Sequence, residues 1–330
     1  MTRATNAPIR LGLIGAGRWG QVYLRTLAGL QDRCRLTHLA SSRPQARELA
    51  PPGTAVVADW RELVQGDCDA VIIATPPAVH VEMVEACLVA RKPCIVEKPL
   101  CMDPAAADAL HRRVEESGVP VLVDHTHLFH PAYAALKRAL EAAGEPIRAV
   151  SGEGMGFGPF RPEVSALWDW GPHDVSLCLD LLGAVPERAD AVGGPEGPDG
   201  EPELVTARLE FFSGAQAWFY VSRMAPAKRR TLTVVTDSML YWLDELSSDP
   251  LRVVALSRPG SVASSGSGWK SLPAGSDTPP LTVMVQYFID GLRGGDRRRF
   301  GTSLARDVVR VLSQCQAALE RGRTAPGLGS

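Results

Sequence analysis

The sequence has no strong excess of charge of either sign and no long hydrophobic run. Its 330 residues carry 35 Lys and Arg against 37 Asp and Glu, which gives a formal net charge of −2. Nucleic acids and anionic membranes need a concentrated basic face, so this balance favours neither as a partner. No stretch reaches the ~18 uncharged apolar residues of a membrane helix. The first ten residues lack the apolar segment of a signal peptide.

Paired cysteines are also missing. The seven cysteines are scattered along the chain, and none belongs to a C-x-x-C motif. This odd, unpaired set predicts neither a disulfide framework nor a zinc site, and it indicates a reducing, cytoplasmic environment. Hydrophobic residues at 45% and charged residues at 22% exclude a wholly disordered chain. At roughly 150 residues per domain, the length predicts two domains.

Residues 1–125 alternate short apolar runs with segments of helical spacing. Runs this apolar are typical of strands buried on both faces of a parallel sheet, so the pattern predicts a doubly wound α/β domain. The predicted strands are Ile9–Ile14, 35–40, 70–74, 94–96 and 119–123, and the predicted helices are 22–30, 79–90 and Pro104–Ser117.

Residues 126–330 have a different pattern, which predicts an α+β domain with a mostly antiparallel sheet. A strand is expected from residue 147, interrupted by the glycine-rich stretch 152–158. Two segments are loop-like by composition, 193–203 and 257–280, and the second is long enough to be mobile or functional. The predicted helices are Pro131–Ala143, 177–182 and 303–321 (with a flexible tail from 322), and further strands are expected within 204–220, 231–236 and 239–243.

A G-x-G-x-x-G sequence directly follows the first predicted strand and precedes a helix. Gly15 permits a tight turn, Gly17 lets the backbone approach a pyrophosphate, and Gly20 lets the helix pack closely on the strand. Arg18 and Trp19 complete the motif at the helix N-terminus, where free N–H groups attract phosphate. This context predicts dinucleotide binding.

The end of the second strand bears on the choice of cofactor. NAD-selective domains usually place Asp or Glu here, on the ribose 2′-hydroxyl, but this chain has Ser41, Ser42 and Arg43. Two hydroxyls and a guanidinium suit a 2′-phosphate, which favours NADP over NAD. The alternative is an ordinary polar turn in an enzyme that uses either cofactor.

Three further motifs carry a resemblance to a known family: Glu97-Lys98-Pro99, Ala74-Thr75-Pro76-Pro77 with His80, and Asp169-Trp170-Gly171-Pro172-His173. With the glycine motif, their order and spacing resemble the glucose–fructose oxidoreductase / inositol dehydrogenase / rhizopine catabolism (Gfo/Idh/MocA) family. The resemblance implies an N-terminal Rossmann domain and a C-terminal domain with an open sheet. It also implies an active site between the domains and a homodimer or homotetramer formed through the sheet.

The resemblance also implies a nicotinamide cofactor and hydride transfer at a carbon of a sugar, sugar nucleotide, amino sugar or cyclitol. Lys98 matches the family's active-site lysine, and Asp169 and His173 match its D-x-x-x-H pair. A family acid often lies three residues after that histidine, where this chain has Ser176. The full set of predicted cofactor contacts is Gly15, Gly17, Arg18, Trp19, Gly20, Ser41, Ser42, Arg43, Thr75, Pro76, His80, Glu97 and Lys98.

The chemistry of these residues suits oxidation of a secondary alcohol. His173 titrates near neutral pH and can accept the hydroxyl proton. Pro172 favours a first helical turn, where the dipole would keep His173 unprotonated. Asp169 would hold one tautomer and stabilise the cation once formed. Lys98, before a proline, is expected at the mouth of the sheet, where it can hydrogen-bond an oxygen that gains charge.

Histidines and aromatic residues are the candidate substrate contacts. His125 and His127, with His130, could suggest a metal cluster, but no further ligand lies nearby in sequence, so contacts to sugar hydroxyls or cofactor are favoured and no metal is expected. Thr126 belongs to the same segment. Arg161, Trp168 and Trp170 could line a pocket or, for the aromatics, simply pack in the core. Arg297-Arg298-Arg299 is interpreted as a solvated turn.

The sequence thus predicts an NAD(P)-dependent oxidoreductase acting on a carbohydrate-type hydroxyl or ketone. Two alternatives remain open at this point. One is a Rossmann reductase of a non-sugar carbonyl or imine, and the other is a nicotinamide-binding sensor without catalysis. Within the family, the segments 124–126 and 168–173 resemble those of sugar-nucleotide or amino-sugar dehydrogenases more than those of inositol dehydrogenases.

Overall fold

The computed structural model describes residues 7–160, 164–197, 200–256 and 268–324. The chain divides into two compact units: residues 1–126 with 279–309, and residues 127–278 with 310–330. The last helix is divided between the two units, and its part from residue 310 onward belongs to the second. No helix in the described ranges combines the length and apolar character needed to cross a bilayer.

The first unit contains a six-stranded parallel sheet in the order β3-β2-β1-β4-β5-β6. This order is that of a dinucleotide-binding doubly wound fold. The strands are β1 (Ile9–Ile14), β2 (Cys34–Ala40), β3 (Ala55–Val57), β4 (Ala70–Ile73), β5 (Cys94–Glu97) and β6 (Val121–Asp124). The helices are α1 (Arg18–Ala28), α2 (Ala46–Leu49), α3 (Trp60–Gln65), α4 (His80–Val89) and α5 (Pro104–Ser117).

The predicted parallel Rossmann sheet is confirmed, with strand ends within two residues of the prediction. Every residue of β4, β5 and β6 is buried, which explains their continuous apolar runs. Helix α1 begins at Arg18, so the predicted start at residue 22 was wrong. Residues 18–21 lack apolar periodicity, and the helix starts there because Gly17 serves as its N-cap. Strand β3 was not predicted because three residues are too short to show a period.

The second unit contains an eight-stranded sheet in the order β14-β13-β12-β11-β7-β10-β9-β8. All neighbouring strands are antiparallel except β7 and β10, so the predicted mostly antiparallel sheet is confirmed. The strands are β7 (Ala149–Phe157), β8 (Arg188–Gly193), β9 (Leu204–Glu210), β10 (Gln216–Ser222), β11 (Met224–Val235), β12 (Met239–Asp244), β13 (Leu251–Ala255) and β14 (Lys270–Ser271). The helices are α6 (Pro131–Ala143) and α7 (Ala166–Leu182), and then α8 (Pro280–Leu292, in the first unit) and α9 (Ser303–Thr324).

The glycines of β7 do not interrupt the strand, contrary to the prediction for 152–158. They lie inside it because large polar and aromatic groups pack against their open side. A Cβ at Gly152 would stand 2.5 Å from Asp174 Oδ1, and one at Gly154 would stand 2.2 Å from an Arg230 terminal nitrogen. At Gly156 the nearest atom is a Trp170 ring carbon at 3.4 Å. The glycine stripe therefore makes room for buried side chains on one face of the sheet.

Helix α7 is longer than predicted and begins eleven residues before 177. The side chain of Ser165 accepts from the backbone N–H of Trp168 at 3.5 Å and marks the helix start. Pro172 therefore lies in the second turn, so its predicted place in the first turn was wrong. A proline inside a helix loses one backbone hydrogen bond, and here eleven buried residues hold the helix in place by packing.

The C-terminal predictions need three further corrections. Residues 322–324 continue α9, so the flexible tail does not begin at Gly322. Helix α8 was missed altogether. Of the long loop 257–280, residues 257–267 lie outside the described residues, and Lys270–Ser271 form the short edge strand β14.

Candidate active site

The carboxyl ends of the parallel strands meet at one edge of the first unit's sheet. The segments that follow β1, β2, β4, β5 and β6 therefore lie along the same edge, where open α/β sheets bind ligands. Those segments hold most of the sequence-predicted site residues: Gly15–Gly20, Ser41–Arg43, Thr75–His80, Lys98, and His125 with Thr126.

The three glycines of the G-x-G-x-x-G motif (the fingerprint glycines) differ in the space that surrounds them. Gly15 has a φ of +102°, and a Cβ there would stand 2.5 Å from the carbonyl oxygen of Ala74. A Cβ at Gly20 would stand 2.0 Å from the carbonyl oxygen of Gly15, so the helix approaches the turn more closely than a side chain permits. At Gly17 a Cβ would meet nothing within 4 Å. Gly17 thus leaves an open cradle beside the backbone.

The N-terminus of α1 is built to receive an anion. No side chain caps it, and its first turn contains no acidic residue. The first N–H groups of a helix have no partner within the helix, and the helix dipole adds positive potential. Arg18 is exposed at this end, and Trp19 is half-buried. The residues present therefore fit the pyrophosphate of a dinucleotide.

The turn after β2 carries the residues predicted to meet a 2′-phosphate. The hydroxyl of Ser41 accepts from the backbone N–H of Arg43 at 3.1 Å, which closes the turn. The side chains of Ser42 and Arg43 are exposed. None of residues 39–43 is acidic, so none of them can place a carboxylate on a ribose 2′-hydroxyl.

His80 is fully buried and joins two of the edge segments. Its Nε2 lies 2.8 Å from the carbonyl oxygen of Thr75, and its Nδ1 lies 2.9 Å from that of Pro99. Both carbonyls are acceptors, so neutral imidazole can donate to only one of them at a time. Burial lowers the pKa of His80. His80 thereby holds the turn that follows Lys98 against the segment of Thr75 and Pro76.

Two buried carboxyl groups lie side by side beneath Lys98. Glu97 and Asp124 are paired residues of β5 and β6. The hydroxyl of Tyr23 donates to Asp124 Oδ2 at 2.5 Å, and the hydroxyl of Thr126 donates to Asp124 Oδ1. Burial, and next the charge of Asp124, raises the pKa of Glu97 well above its usual range. Burial beside Asp124 therefore favours the protonated form of Glu97. Glu97 and Thr126, predicted as cofactor and substrate contacts, are held inside this cluster.

In the second unit, Asp169 and His173 both lie on α7, one helical turn apart. Residues four apart share a helix face, so Asp169 and His173 lie on the same face of α7. The helix dipole acts within the first turn, and His173 is the eighth residue of α7. The prediction that the dipole keeps His173 unprotonated is therefore wrong.

A second histidine and a glutamate surround His173. The rings of His127 and His173 meet edge to face, with centroids 4.4 Å apart and an interplanar angle of 76°. Nδ1 of His127 lies 2.7 Å from both carboxylate oxygens of Glu245. Burial alone would raise the pKa of Glu245, but the charge of His127 and its hydrogen bond hold that pKa at about 2. Glu245 is therefore ionised at neutral pH.

A buried ion pair follows His173 on the same helix. Asp174 accepts from Arg230 of β11 at 3.0 Å, and both side chains are under 8% exposed. This pair occupies the space left by Gly152 and Gly154. Trp168 is only 4% exposed, which fits the core packing that was left open as an alternative. Trp170 packs against the glycines of β7 and remains half-buried.

Comparison with known proteins decides the family. The model described as an oxidoreductase family with an NAD-binding Rossmann fold matches residues 9–125, and that of the GFO/IDH/MocA C-terminal domain matches residues 159–239. A solved structure from Magnetospirillum magnetotacticum MS-1, described only as an oxidoreductase, is 40% identical. It covers 94% of this chain and 100% of its own, with a TM-score of 0.85. The chain belongs to the Gfo/Idh/MocA family of oxidoreductases.

Other members of the Gfo/Idh/MocA family are similar along most of the chain. UDP-N-acetylglucosamine 3-dehydrogenase of Acidithiobacillus ferrooxidans is 27% identical over 73% of this chain and 73% of its own length. Inositol 2-dehydrogenase 2 of Paenarthrobacter aurescens is 27% identical over 83% of this chain and 90% of its own. The predicted family and the predicted oxidoreductase class are thus confirmed.

Sequence reasoning about this Gfo/Idh/MocA chain missed several residues that surround the motifs. Asp124 closes a buried strand at the ligand edge, a position that could have marked it. Glu245 lies 118 residues from His127 and follows no motif, so no local signal pointed to it. In the sequence, nothing distinguishes Tyr23 from an ordinary core residue or Arg230 from an ordinary strand residue.

Three further predictions concern the remaining candidates. Arg161 lies outside the described residues. In the described ranges no group of three or more His, Cys, Asp or Glu side chains is arranged to hold a metal ion. The Arg297–299 segment forms a turn, in which Arg297 donates to the carbonyl of Gly291 and Arg298 pairs with Asp296.

Replacing Glu97 by glutamine should stabilise the protein increasingly as pH rises. Because the pKa of Glu97 is raised in the folded state, folding binds its proton, and that stabilisation is present below the unfolded pKa of about 4.3 and lost as pH rises above it. Glutamine has no proton to lose. We expect Glu97→Gln to raise Tm by a few degrees at pH 8 and by less at pH 5. Thermal unfolding at both pH values measures this, with exposed Glu48→Gln as the control. Equal changes in Tm at the two pH values would contradict the raised pKa of Glu97.

Proposed function

We propose that the protein transfers a hydride between NAD(P) and a hydroxyl or keto carbon of a sugar, sugar nucleotide, amino sugar or cyclitol. The observation that carries the proposal is the position of Lys98. It follows β5 at the same sheet edge as the glycine cradle after β1, in a family of oxidoreductases. A lysine there can meet a reacting oxygen next to a bound dinucleotide.

The proposed roles divide the chemistry between two residues. When bound, the nicotinamide accepts the hydride from the carbinol carbon. His173 takes the hydroxyl proton, since imidazole titrates near neutral pH. Lys98 hydrogen-bonds the same oxygen as its negative charge grows. Asp169, one turn before His173 on α7, contributes negative charge on the face that carries the forming imidazolium.

The substrate class rests on the relatives. The named relatives act on UDP-N-acetylglucosamine and on inositol, both rich in secondary hydroxyls. Trp170, which is half-buried, and His125, which is buried, are the proposed ring and hydroxyl contacts. The proposal therefore covers sugar nucleotides, amino sugars and cyclitols.

A substrate screen with the purified protein tests the function. NADP and NAD are each offered with UDP-sugars, amino sugars and inositols, and reduced nicotinamide is followed at equal protein concentration. Turnover with one of these classes supports the proposal, and turnover only with a non-sugar carbonyl or imine contradicts it. A native mass spectrum of the same sample tests the proposed homodimer or homotetramer.

Replacing Arg43 by alanine should weaken NADPH binding far more than NADH binding. The exposed guanidinium after β2 is the only cation of residues 39–43, and arginine binds phosphate through two parallel hydrogen bonds. We expect about a tenfold or greater rise in the Kd of NADPH, the equivalent of about 1.4 kcal/mol, and little change for NADH. Fluorescence titration measures both constants, with Arg47→Ala on α2 as the control. Equal losses for the two cofactors would show that Arg43 does not contact the 2′-phosphate.

A further inference from the structure

We propose that Glu245 and His127 are positioning residues for His173. In this proposal they form a carboxylate–imidazole dyad that orients the His173 ring. The dyad also provides the neighbouring charge that determines how readily that ring is protonated. The inference rests on the proposed function, in which His173 takes the substrate's proton. It adds Glu245, which no sequence motif contains, and it gives His127, predicted as a substrate or cofactor contact, a different role.

The His127 ring of the dyad makes a contact on each of two sides. On one side its Nδ1 lies 2.7 Å from each oxygen of Glu245, within the range of a charge-assisted hydrogen bond. On the other side its ring meets the His173 ring edge to face, with centroids 4.4 Å apart. The His127 ring cannot turn without breaking one contact or the other, so its orientation limits that of His173.

Glu245 is itself held in place by the backbone. It directly follows β12, and its N–H donates to the carbonyl oxygen of Arg230 at 3.0 Å, which extends the pairing of β11 with β12 by one residue. Its side chain is only 10% exposed and remains ionised, as its pKa of about 2 requires. A carboxylate this buried is costly unless it is paired, and His127 is the partner that it has.

The other charged groups around the dyad are accounted for. Asp174 and Arg230 form their own ion pair at 3.0 Å, so together they add little net charge. His130 accepts the N–H of Ala132 at 3.2 Å as the N-cap of α6, which requires an unprotonated Nδ1, and burial lowers its pKa. Besides Asp169, which lies one turn before His173 on α7 and is unchanged in both dyad variants, the excess negative charge next to His127 and His173 is therefore that of Glu245.

This arrangement has two consequences for His173. The carboxylate keeps a proton on Nδ1 of His127 in either charge state, because Nδ1 faces only Glu245. When His127 is protonated the dyad is neutral, and when it is neutral the dyad carries one negative charge. The dyad thus governs how readily a positive charge forms on His173, and its carboxylate favours that charge, which is opposite to the effect predicted for the helix dipole.

Two substitutions at the dyad should move His173 in opposite directions. Glu245→Gln keeps the size of the side chain and removes its charge, so protonation of His173 becomes harder. His127→Asn removes the group whose positive charge balances Glu245 in the neutral dyad, so protonation of His173 becomes easier. Opposite charges nearby shift a titration by about one to three units. We expect shifts of about one pH unit, downward for Glu245→Gln and upward for His127→Asn.

The measurement is made on the full-length protein in two ways. NMR with histidine labelled at Cε1 gives the titration midpoint of His173 without any need for activity, with His173→Asn used to assign its signal. The acid limb of kcat/KM for alcohol oxidation gives the same midpoint in the working enzyme. We also expect kcat to fall about tenfold in Glu245→Gln, equivalent to about 1.4 kcal/mol, while KM changes little.

Asp244→Asn is the matched control. It removes the same charge one residue earlier, from a side chain that accepts the N–H of Leu246 in a turn, so we expect it to leave the His173 midpoint in place. Shifts of equal sign in the two dyad variants, or no shift, would overturn the proposal. An inactive wild-type protein, or full activity in His173→Asn, would instead overturn the proposed function, while the NMR midpoints still decide whether the dyad acts on His173.

Discussion

Replacing Lys98 by methionine is expected to lower kcat by about 10²–10⁴-fold, the usual contribution of a group that transfers or stabilises a proton at the reacting oxygen. Methionine keeps much of the length and the apolar stem of lysine and removes its charge. Lys98 is only 8% exposed, so its ammonium acts in a site from which most water is excluded, and there its charge has a larger effect than in solvent.

The same change should affect cofactor binding far less. The pyrophosphate is expected at the Gly17 cradle and the N-terminus of α1, which Lys98 does not form. Fluorescence titration gives the Kd of the reduced cofactor, and steady-state kinetics give kcat and KM. A Kd within a few-fold of wild type, together with the lost kcat, assigns Lys98 to the chemical step.

Lys92→Met is the control for loss of a lysine in the same unit. The ammonium of Lys92 donates to the carbonyl of Cys68 at 2.8 Å and also to that of Gly66, both in the loop between α3 and β4. We expect this variant to lose stability and keep its turnover below its Tm. If Lys98→Met retained most of its kcat, Lys98 would have no part in the reaction.

Local patterns predicted the first unit well because its elements are short and each has its own signal. The runs at β4 and β5 are buried on both faces, so they appear as uninterrupted apolar stretches. The fingerprint glycines are required by contacts with near neighbours in sequence and with the next strand. The position of Lys98 at the ligand edge then follows from the parallel order of the strands.

The second unit was harder because its decisive contacts join distant residues. Gly152 and Gly154 look like a break in the strand until the Asp174–Arg230 pair is seen to fill the space beside them. Pro172 looks like a helix start, but Ser165 already caps the helix seven residues earlier. Glu245 reaches His127 across 118 residues of sequence. None of these pairings has a local pattern.

Among the single substitutions proposed for this protein, Arg223→Met is expected to cause the largest loss of stability. Arg223 is completely buried, and its guanidinium binds both oxygens of Glu203, which is 1% exposed. Removing one partner of a buried pair leaves the other charge uncompensated and costs about 3–5 kcal/mol. For a unit of this size we expect Tm to fall by about 10 °C, which differential scanning calorimetry measures.

A second substitution, at Glu203, separates the effect of an unpaired buried charge from the effect of lost packing. With Glu203→Leu added to Arg223→Met, no buried charge remains, and apolar replacement of a buried ion pair is often close to neutral. We expect the double variant to regain most of the lost Tm. Part of the loss should persist, because Arg223 also donates to the carbonyl of Val164 at 2.8 Å, directly before the N-cap of α7.

An exposed ion pair in the same unit is the control for Arg223. Arg148 and Asp237 are both about half exposed, and such pairs contribute about 0–1 kcal/mol, so Arg148→Met should hardly change Tm. A similarly small effect of Arg223→Met would mean that Glu203 is neutralised by a proton when its partner is lost. Arg223 also holds Val164, the residue directly before the N-cap of α7, which carries His173. Turnover of Arg223→Met measured well below its Tm should therefore show whether loss of this contact affects the reaction.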